Sequence, residues 1–257
     1  MYRTFFRLKK NGKKRKIEAP CPELKAMQAS LAKVLQDRVL SDSAHGFVVG
    51  RSPLTNAMNH LSQRYVLNID VKDFFPSIKQ RRFIQLVGDR FDPPLLEWIS
   101  YICFWKGALP QGAPTSPVLS NIYLSKVDER MEALAQKKGL RYSRYADDLT
   151  FSGNDSLKAD MAVVLKEVDQ TLRSLCLIRN EKKTKLMPYY QRQVVTGIVV
   201  NGDKTTLSGK IKQEWLKLMK EKSCESLSAT ELGYLGYIKS VDLAFYEKLT
   251  GGWHAGA

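Results

Sequence analysis

The stretch "SRYADDLTFSG", residues 143–153, places two aspartates side by side between two short apolar runs. The flanking residues are β-prone, so the pattern predicts two strands joined by a tight turn at the acidic pair. In a straight strand neighbouring side chains point to opposite faces, whereas at a turn Asp147 and Asp148 can point to one place. Two carboxylates about 4 Å apart repel by ~4 kcal/mol at an effective dielectric of about 20. A shared proton, exposure to water or a bound cation relieves that repulsion.

An ordinary solvent-exposed Asp-Asp turn is the alternative, because aspartate favours turns. A third carboxylate, Asp70, ends the β-prone apolar run at residues 65–69. Three oxygen donors on neighbouring strands suit Mg²⁺, which keeps several waters and accepts substrate phosphates as further ligands. Two such ions about 3.5–4 Å apart can activate an attacking hydroxyl and stabilise a leaving pyrophosphate. The three carboxylates therefore favour phosphoryl transfer.

The predicted elements around this hairpin follow the order β-α-β-β-α-β over residues 65–187. This order predicts an α+β fold in which a small sheet carries helices on one face. Apolar spacing predicts helices at about 22–40, 77–87 and 157–175, and a long helix from residue 116 with Ser116 as its cap. A short helix is expected after "SP" at residues 52–53, capped by Thr55 or Asn56. The chain after residue 208 is expected to be helical.

The charge is strongly basic, with 41 Lys and Arg against 26 Asp and Glu and a net charge of +15. Such an excess favours a polyanionic partner, most often nucleic acid, although solubility alone is the alternative. Eight basic residues and no acid lie in residues 1–17, which the Asn11-Gly12 pair predicts to be a hairpin. Its lysines either bind phosphate or protect an exposed sheet edge.

Other features exclude whole classes of protein. The four cysteines are scattered, without CxxC or CxxxH spacing, so zinc is not indicated and a reducing cytosol fits better than a disulfide framework. The basic N-terminus lacks the apolar run of a signal peptide, and no stretch approaches 18 apolar residues. A cytoplasmic protein without a membrane span is therefore expected.

Five blocks of this sequence resemble the motifs of reverse transcriptases, in their order and spacing. "NIDVKDFFPSI" (68–78), "LPQGAPTSPVLSNIYL" (109–124) and "YADD" (145–148) resemble the palm motifs. "NGKKRKIEAP" (11–20) resembles the fingers motif, and "NEKKTK" (180–185) the basic motif after the palm. "NAMNH" (56–60), "VTG" (195–197) and the C-terminal "GYLGYIKSVDLAFYEKL" resemble bacterial retron reverse transcriptases in particular.

The resemblance implies a right-hand polymerase with an RRM-like palm, fingers and a short helical thumb. Residues 1–69 are expected to form fingers, and residues 201–257 the thumb. Residues 70–200 are expected to form the palm, with part of the fingers inserted at about 78–108.

The resemblance also assigns the catalytic roles. It implies that Asp70 and Asp147 bridge two Mg²⁺ ions, with Mn²⁺ as an alternative, and that Asp148 completes the acidic cluster. The backbone carbonyl of Val71 is a candidate further ligand. Either Lys182 or Lys183 is expected to protonate the leaving pyrophosphate, unless this basic run is merely solvated.

Five residues are expected to hold the incoming deoxynucleoside triphosphate. Arg15, assisted by Lys10, matches the fingers arginine that grips the triphosphate, because a planar fork suits phosphate oxygens. Phe75 lies where the family places the gate that excludes a 2′-OH; a core aromatic is the alternative. Gln111 and Gly112 fall where relatives contact the incoming nucleotide and the templating pair.

The retron resemblance implies recognition of a structured noncoding RNA through Asn56, His60, Val195, Thr196 and Gly197. It also implies priming from a 2′-OH, a covalent RNA–DNA product, a separately encoded effector protein and a role in defence against phages. One alternative is another bacterial reverse transcriptase, either group-II-like or defence-associated. The other is an RNA-binding scaffold without catalysis.

Overall fold

A computed structural model describes residues 1–8, 12, 14–39, 41–222 and 226–251 of the chain. Its centre is a four-stranded antiparallel sheet, made of β3 (Tyr65–Asp70), β4 (Arg141–Tyr145), β5 (Asp148–Gly153) and β6 (Lys185–Pro188). The strands lie in the order β4-β5-β3-β6. The two long helices of the predicted unit are α6 (Ser116–Lys138) and α7 (Asp155–Ser174). The predicted β-α-β-β-α-β order over residues 65–187 is therefore confirmed.

Further elements surround this unit within the described residues. A hairpin of β1 (Tyr2–Leu8) and β2 (Lys14–Pro20) precedes it, and a short hairpin of β7 (Val194–Val195) and β8 (Ile198–Val199) follows it. The remaining helices are α1 (Pro22–Leu35), α2 (Pro53–Met58), α3 (Phe74–Ser77), α4 (Gln80–Val87), α5 (Pro93–Ile102), α8 (Gly209–Glu221), α9 (Ala229–Val241) and α10 (Leu243–Thr250). No helix in these ranges is long and apolar enough to cross a membrane.

The N-terminal hairpin is confirmed, although the residues on either side of Gly12 at its tip lie outside the described part of the chain. Its second strand packs on the loop before α6, where the Glu18 amide donates to the Gln111 carbonyl at 2.9 Å. Gly112 has a φ of +137°, and a Cβ there would stand 2.9 Å from the Glu18 carbonyl oxygen. Only glycine permits this close approach of the hairpin to the palm.

Three predicted helix starts are wrong, each for a local reason. Ser52 caps α2, because Pro53 takes the first helical position and Thr55 completes a capping box with Ser52. Thr115 precedes α6, while the Ser116 hydroxyl donates instead to the Pro110 carbonyl at 2.7 Å. The helix expected at 77–87 begins at Gln80, because the backbone is extended at residues 78 and 79.

Two apolar clusters stabilise the molecule. The larger one joins the four-stranded sheet, which we call the palm sheet, to the long helices α6 and α7 and to α1, α4 and α5. The second joins Val66 of β3 and Met187 of β6 to the β7–β8 hairpin and to α8, α9 and α10. Because β3 lies wholly within the palm sheet, the expected boundary between residues 69 and 70 falls inside a strand.

Candidate active site

The acidic pair lies in a two-residue turn, which we call the acidic turn (residues 145–148). Tyr145 of β4 pairs with Asp148 of β5, so that Ala146 and Asp147 are the two central residues. Ala146 has a φ of +57°, and positive φ at the first central residue is the sign pattern of a type II′ turn. The predicted tight turn is therefore present, with a non-glycine residue in a sparsely populated conformation.

The structure brings the three predicted carboxylates together. Asp70 is directly opposite Asp148 in the antiparallel pairing of β3 with β5. The amide of Val71 donates to the carbonyl of Asp147 at 3.0 Å, which holds the turn against the end of β3. Asp70 and Asp147 line two adjoining cavities of ≈ 770 and ≈ 890 Å³, and Asp148 lines the second.

The electrostatics of this cluster are unfavourable without a cation. Loss of surrounding water raises the pKa of Asp148, and the charges of Asp147 and Asp70 raise it further. The pKa of Asp147 is also raised, chiefly by burial and then by Asp70, although a backbone hydrogen bond and Lys183 oppose the shift. Asp148 keeps contact with solvent, which screens part of this repulsion. Like charges held together in this way favour a bound cation.

Asp70 is the most buried member of the cluster. It is 6% exposed, and its carboxylate accepts from Asn180 Nδ2 at 2.8 Å and from Lys183 Nζ at 2.5 Å. The hydrogen bond to Asp70 raises the pKa of Lys183. Lys182 also lines both cavities. Sequence left Lys182 and Lys183 as alternatives, and Lys183 is the one that contacts Asp70, a predicted catalytic carboxylate.

The residues at this site fit Mg²⁺ as a partial set of ligands, which water and substrate would complete. In the described ranges, no three His, Cys, Asp or Glu side chains are arranged to hold one ion by themselves. Mg²⁺ commonly binds through one or two carboxylates and takes its other ligands from water and substrate phosphates. Asp70 and Asp147 can supply those carboxylates once Lys183 releases Asp70, and Val71 lines the cavity beside them.

The predicted nucleotide-binding residues lie around the same cavity. Arg15 of β2, Phe75 of α3 and Gln111 line it together with Asp70 and Asp147. Phe75 is half-buried and faces this space, whereas its neighbour Phe74 is the core aromatic. Gly112 adjoins Gln111 at the fingers hairpin, and Lys10 lies outside the described residues.

Sequence reasoning missed Phe47, which also lines this cavity. Its ring centroid is 6.2 Å from that of Phe75, it is 40% exposed, and its φ is +64°. The preceding Gly46 allows this placement, because a Cβ there would lie 2.4 Å from the Ala146 nitrogen. In the sequence, residues 44–53 indicate only a loop with two glycines. The close approach of Gly46 to Ala146 leaves no periodic pattern, because the two residues are far apart along the chain.

Arg144 was missed as well. Its guanidinium is fully buried and pairs with both carboxylate oxygens of Asp128, at 2.8 and 2.7 Å. The remaining nitrogen donates to Asn121 Oδ1 at 2.9 Å and to the Ala146 carbonyl at 3.0 Å. Tyr142 donates to Asp128 at 2.8 Å and completes the network. The sequence does not reveal that Arg144 is buried, because its partner Asp128 lies on a distant helix.

Two predicted RNA-recognition residues are buried. Both His60 and Asn56 are fully buried. His60 lies between the hydroxyls of Ser143 and Ser152, each 2.7 Å from one ring nitrogen, and Asn56 accepts from Ser143 at 2.7 Å. Burial lowers the pKa of His60 to about 3, so the ring is neutral. The expected direct RNA contact by these two side chains is therefore not possible in this structure. Both side chains instead support strands β4 and β5 from below.

The other three predicted RNA-recognition residues belong to the β7–β8 hairpin. Val195 is buried, while Thr196 and Gly197 form its two-residue loop with φ values of +48° and +87°. Thr196 Oγ1 donates to the Pro53 carbonyl at 2.8 Å, and Asn68 of β3 donates to the Val194 carbonyl at 2.7 Å. The "NAMNH" helix thus supports the "VTG" loop, which lines the same cavity as Asp148.

Residues 8–239 match the family model described as "Reverse transcriptase (RNA-dependent DNA polymerase)". The chain is 36% identical to the retron Mx162 reverse transcriptase of Myxococcus xanthus over 221 residues, covering 75% of this chain and 46% of that protein. It is 34% identical to the retron Ec86 reverse transcriptase of Escherichia coli over 257 residues, covering 96% of this chain and 79% of that protein.

Two solved structures show the fold alone. A telomerase from Candida albicans, in complex with a fragment of telomeric RNA, matches with a TM-score of 0.60 and 11% identity over 98% of this chain and 55% of that chain. A foamy viral protease-reverse transcriptase in complex with double-stranded DNA matches with a TM-score of 0.55 and 18% identity, over 91% of this chain and 35% of that chain. The expected α+β polymerase fold is confirmed.

Proposed function

Since the chain belongs to the reverse transcriptase family, and within it to the retron reverse transcriptases, we propose that it copies a structured noncoding RNA into single-stranded DNA. The observation that supports this most directly is the meeting of Asp70, Asp147 and Asp148 at one end of the palm sheet. An idle site has no physical reason to gather three carboxylates whose charges repel.

The chain's own residues have distinct roles in this proposal. Bound Mg²⁺ would supply charge neutralisation at the reacting phosphate and at the leaving pyrophosphate. Asp70 and Asp147 hold the ions, Arg15 holds the triphosphate with its planar fork, and Phe75 blocks a 2′-OH on the incoming sugar. Gln111, with Gly112 behind it, contacts the nucleotide and the templating pair.

In the transfer itself the priming hydroxyl loses its proton to water, its oxygen forms a bond to the α-phosphorus, and the bond from that phosphorus to pyrophosphate breaks. Lys183 is the donor of a proton to the leaving oxygen in this proposal, because its ammonium group lies at Asp70 and becomes free when that carboxylate takes up an ion. Lys182, which lines the same cavities, contributes positive charge.

The β7–β8 hairpin is the proposed RNA contact, through Thr196 and Gly197 at its tip. A threonine with positive φ is uncommon and strained, and such strain concentrates at binding sites. Asn56 and His60 act indirectly by fixing α2, whose Pro53 carbonyl holds Thr196. As in the family that this chain resembles, a separately encoded effector and a role in phage defence complete the proposal.

Primer extension on an RNA template, with Mg²⁺ and deoxynucleotides, tests the polymerase activity. We expect cDNA from the unmodified protein and a loss of at least a hundredfold in Asp147→Asn. Asp203→Asn is the matched control, because this exposed aspartate lies outside the cavities. Equal extension by the protein and Asp147→Asn would overturn the proposal, and no extension by either would favour an RNA-binding scaffold.

Sequencing of copurified nucleic acid tests the retron assignment separately. A branched RNA joined to DNA through a 2′-linkage is expected. That DNA is expected to lengthen when deoxynucleotides are added. Unbranched cDNA would contradict the retron type while retaining the polymerase, and it would favour a group-II-like or defence-associated enzyme.

A further inference from the structure

Two neighbouring tyrosines are held at the surface directly after β6. Tyr189 is 54% exposed and Tyr190 is 73% exposed. Their ring centroids are 5.5 Å apart, and the rings are nearly perpendicular at 79°. Adjacent exposed aromatic rings form a contiguous surface of the kind that binding sites use.

The backbone that carries these rings is fixed. Asn201 donates through Nδ2 to the carbonyls of Tyr189 and Gln191, at 2.9 and 2.7 Å. Its Oδ1 accepts from the Gln193 amide at 2.8 Å, and the Gln191 amide donates to Pro188 at 2.9 Å. One amide side chain thus binds three backbone groups of the segment. A surface segment ordered in this way presents its side chains without a further entropic cost on binding.

Cations flank the tyrosines. The guanidinium carbon of Arg64 lies 5.5 Å from the Tyr189 ring centroid, and the Arg64 carbonyl accepts from the Tyr189 amide at 2.7 Å. Arg64 also pairs with Asp155. Exposed Arg192 follows the pair along the chain and lines the cavity that contains Asp148. Basic groups beside exposed aromatic rings are typical of surfaces that bind single-stranded nucleic acid.

The position of the pair relative to the active site is set by the sheet. Pro188 pairs with Tyr65 at the start of β3, and Asp70 ends the same strand. Five residue steps of about 3.3 Å place the two ends roughly 17 Å apart. The tyrosines therefore lie at the opposite end of the palm sheet from the acidic turn.

We propose that Tyr189 and Tyr190 form a stacking platform for unpaired bases of the RNA that the enzyme binds. The proposal rests on the proposed function, because it takes RNA as the partner. Base faces match the exposed parts of the two rings, which are left uncovered by Arg64 and by their mutual edge-to-face contact, while Arg64 and Arg192 match the flanking phosphates. The overall charge of +15 favours the same polyanion. The platform lies apart from the reacting groups, so it contributes to RNA affinity rather than to the chemical step.

Fluorescence anisotropy with a labelled single-stranded RNA of mixed sequence tests the platform. We expect Tyr189→Ala and Tyr190→Ala each to weaken binding about tenfold, in line with one stacked base per ring. Tyr189→Phe and Tyr190→Phe keep the ring and are expected to bind within about twofold of the unmodified protein. Tyr101→Ala is the matched control, because Tyr101 is 74% exposed on α5 of the fingers.

A fully paired RNA duplex without overhangs separates stacking from phosphate binding. Its affinity is expected to change less than twofold in the alanine variants, because its bases are already stacked. Unchanged single-strand affinity, or an equal loss for the duplex, would overturn the platform. Loss of a copurifying protein with normal RNA affinity would also overturn it, in favour of a protein partner.

Primer extension on a preannealed template keeps this test distinct from that of the polymerase. If the unmodified protein makes cDNA while the alanine variants bind RNA normally, only the platform is wrong. If the unmodified protein makes no cDNA but its RNA affinity depends on the tyrosines, only the polymerase assignment is wrong.

Discussion

The guanidinium of Arg144 donates to the carbonyl oxygen of Ala146 at 3.0 Å, one residue before Asp147. The same group is paired with both oxygens of buried Asp128 on α6. The ion pair therefore connects the long palm helix to the acidic turn. Because Ala146 has a positive φ, which is unfavourable for alanine, this contact stabilises a backbone conformation that the sequence alone disfavours.

We expect Arg144→Lys to lower the rate of primer extension about tenfold or more and to raise the Mn²⁺ concentration required. Lysine keeps the charge opposite Asp128, but it lacks the planar fork that reaches Asp128 and Ala146 together. Removing one partner of a buried pair outright costs about 3–5 kcal/mol of stability, so this variant, which keeps the charge, is expected to lose less than that. Calorimetric Mn²⁺ binding, extension kinetics and thermal unfolding measure the three effects.

The double variant Arg144→Met and Asp128→Leu separates positioning from stability. Replacing a buried ion pair by apolar residues is often neutral for stability. We expect thermal stability to recover only in part, because buried Tyr142 and Asn121 lose their partners in this variant, while Mn²⁺ binding and extension stay impaired. Normal Mn²⁺ binding in this double variant would show that Arg144 has only a structural role.

Asp148→Asn is expected to stabilise the protein in metal-free buffer while abolishing extension. The pKa of Asp148 is raised to about 7 in the folded state, mainly by loss of water and then by Asp147 and Asp70. The ionised carboxylate therefore opposes folding above its unfolded pKa of about 4, most strongly above pH 7. A gain in Tm of a few degrees, ~2–4 °C, is expected at pH 8 and should vanish at pH 4.

Solvent contact at Asp148 keeps that gain small. Thermal unfolding at the two pH values, with chelator present, measures it, and Asp203→Asn is the control. A larger gain at pH 4 than at pH 8 would contradict the repulsion between the three carboxylates.

Phe47→Ala is expected to weaken the discrimination against ribonucleotides. The Phe47 ring is 6.2 Å from that of Phe75, so its removal gives Phe75 room to turn away from the sugar. We expect the ratio of kcat/KM for deoxynucleotides to kcat/KM for ribonucleotides to fall about tenfold in Phe47→Ala and about a hundredfold in Phe75→Ala. Both values lie within the range of about 10–200-fold by which a small change in a pocket alters discrimination. Phe47→Leu retains most of the bulk and serves as the control. An unchanged ratio in Phe47→Ala would remove Phe47 from the specificity pocket.

Gly46→Ala is expected to destabilise the protein by about 2 kcal/mol or more, since overpacking commonly costs about 1–3 kcal/mol. The added Cβ would lie 2.4 Å from the backbone nitrogen of Ala146, so a backbone segment must move. Gly236→Ala is the matched control, because Gly236 is in α9 with no atom near its Cβ position. That variant is expected to gain about 0.5–1 kcal/mol. Chemical denaturation compares them, and equal stabilities would contradict the packing of Gly46 on the acidic turn.

The order of strands and helices and the meeting of Asp70 with Asp147 could be predicted, because alternation, apolar runs and turn residues are local signals. The environment of His60 could not be predicted. Its partners Ser143 and Ser152 lie more than 80 residues away, and His60 itself is in the turn that follows α2. Arg144 was missed for the same reason, since Asp128 meets it only when α6 packs on β4.

Val66 and Met187 of the palm share one buried cluster with Trp215 and Leu235 of the C-terminal helices. Swinging those helices outward would expose that cluster to water. We therefore expect the C-terminal helices to stay packed on the sheet with and without substrate, because their separation would place these apolar side chains in water.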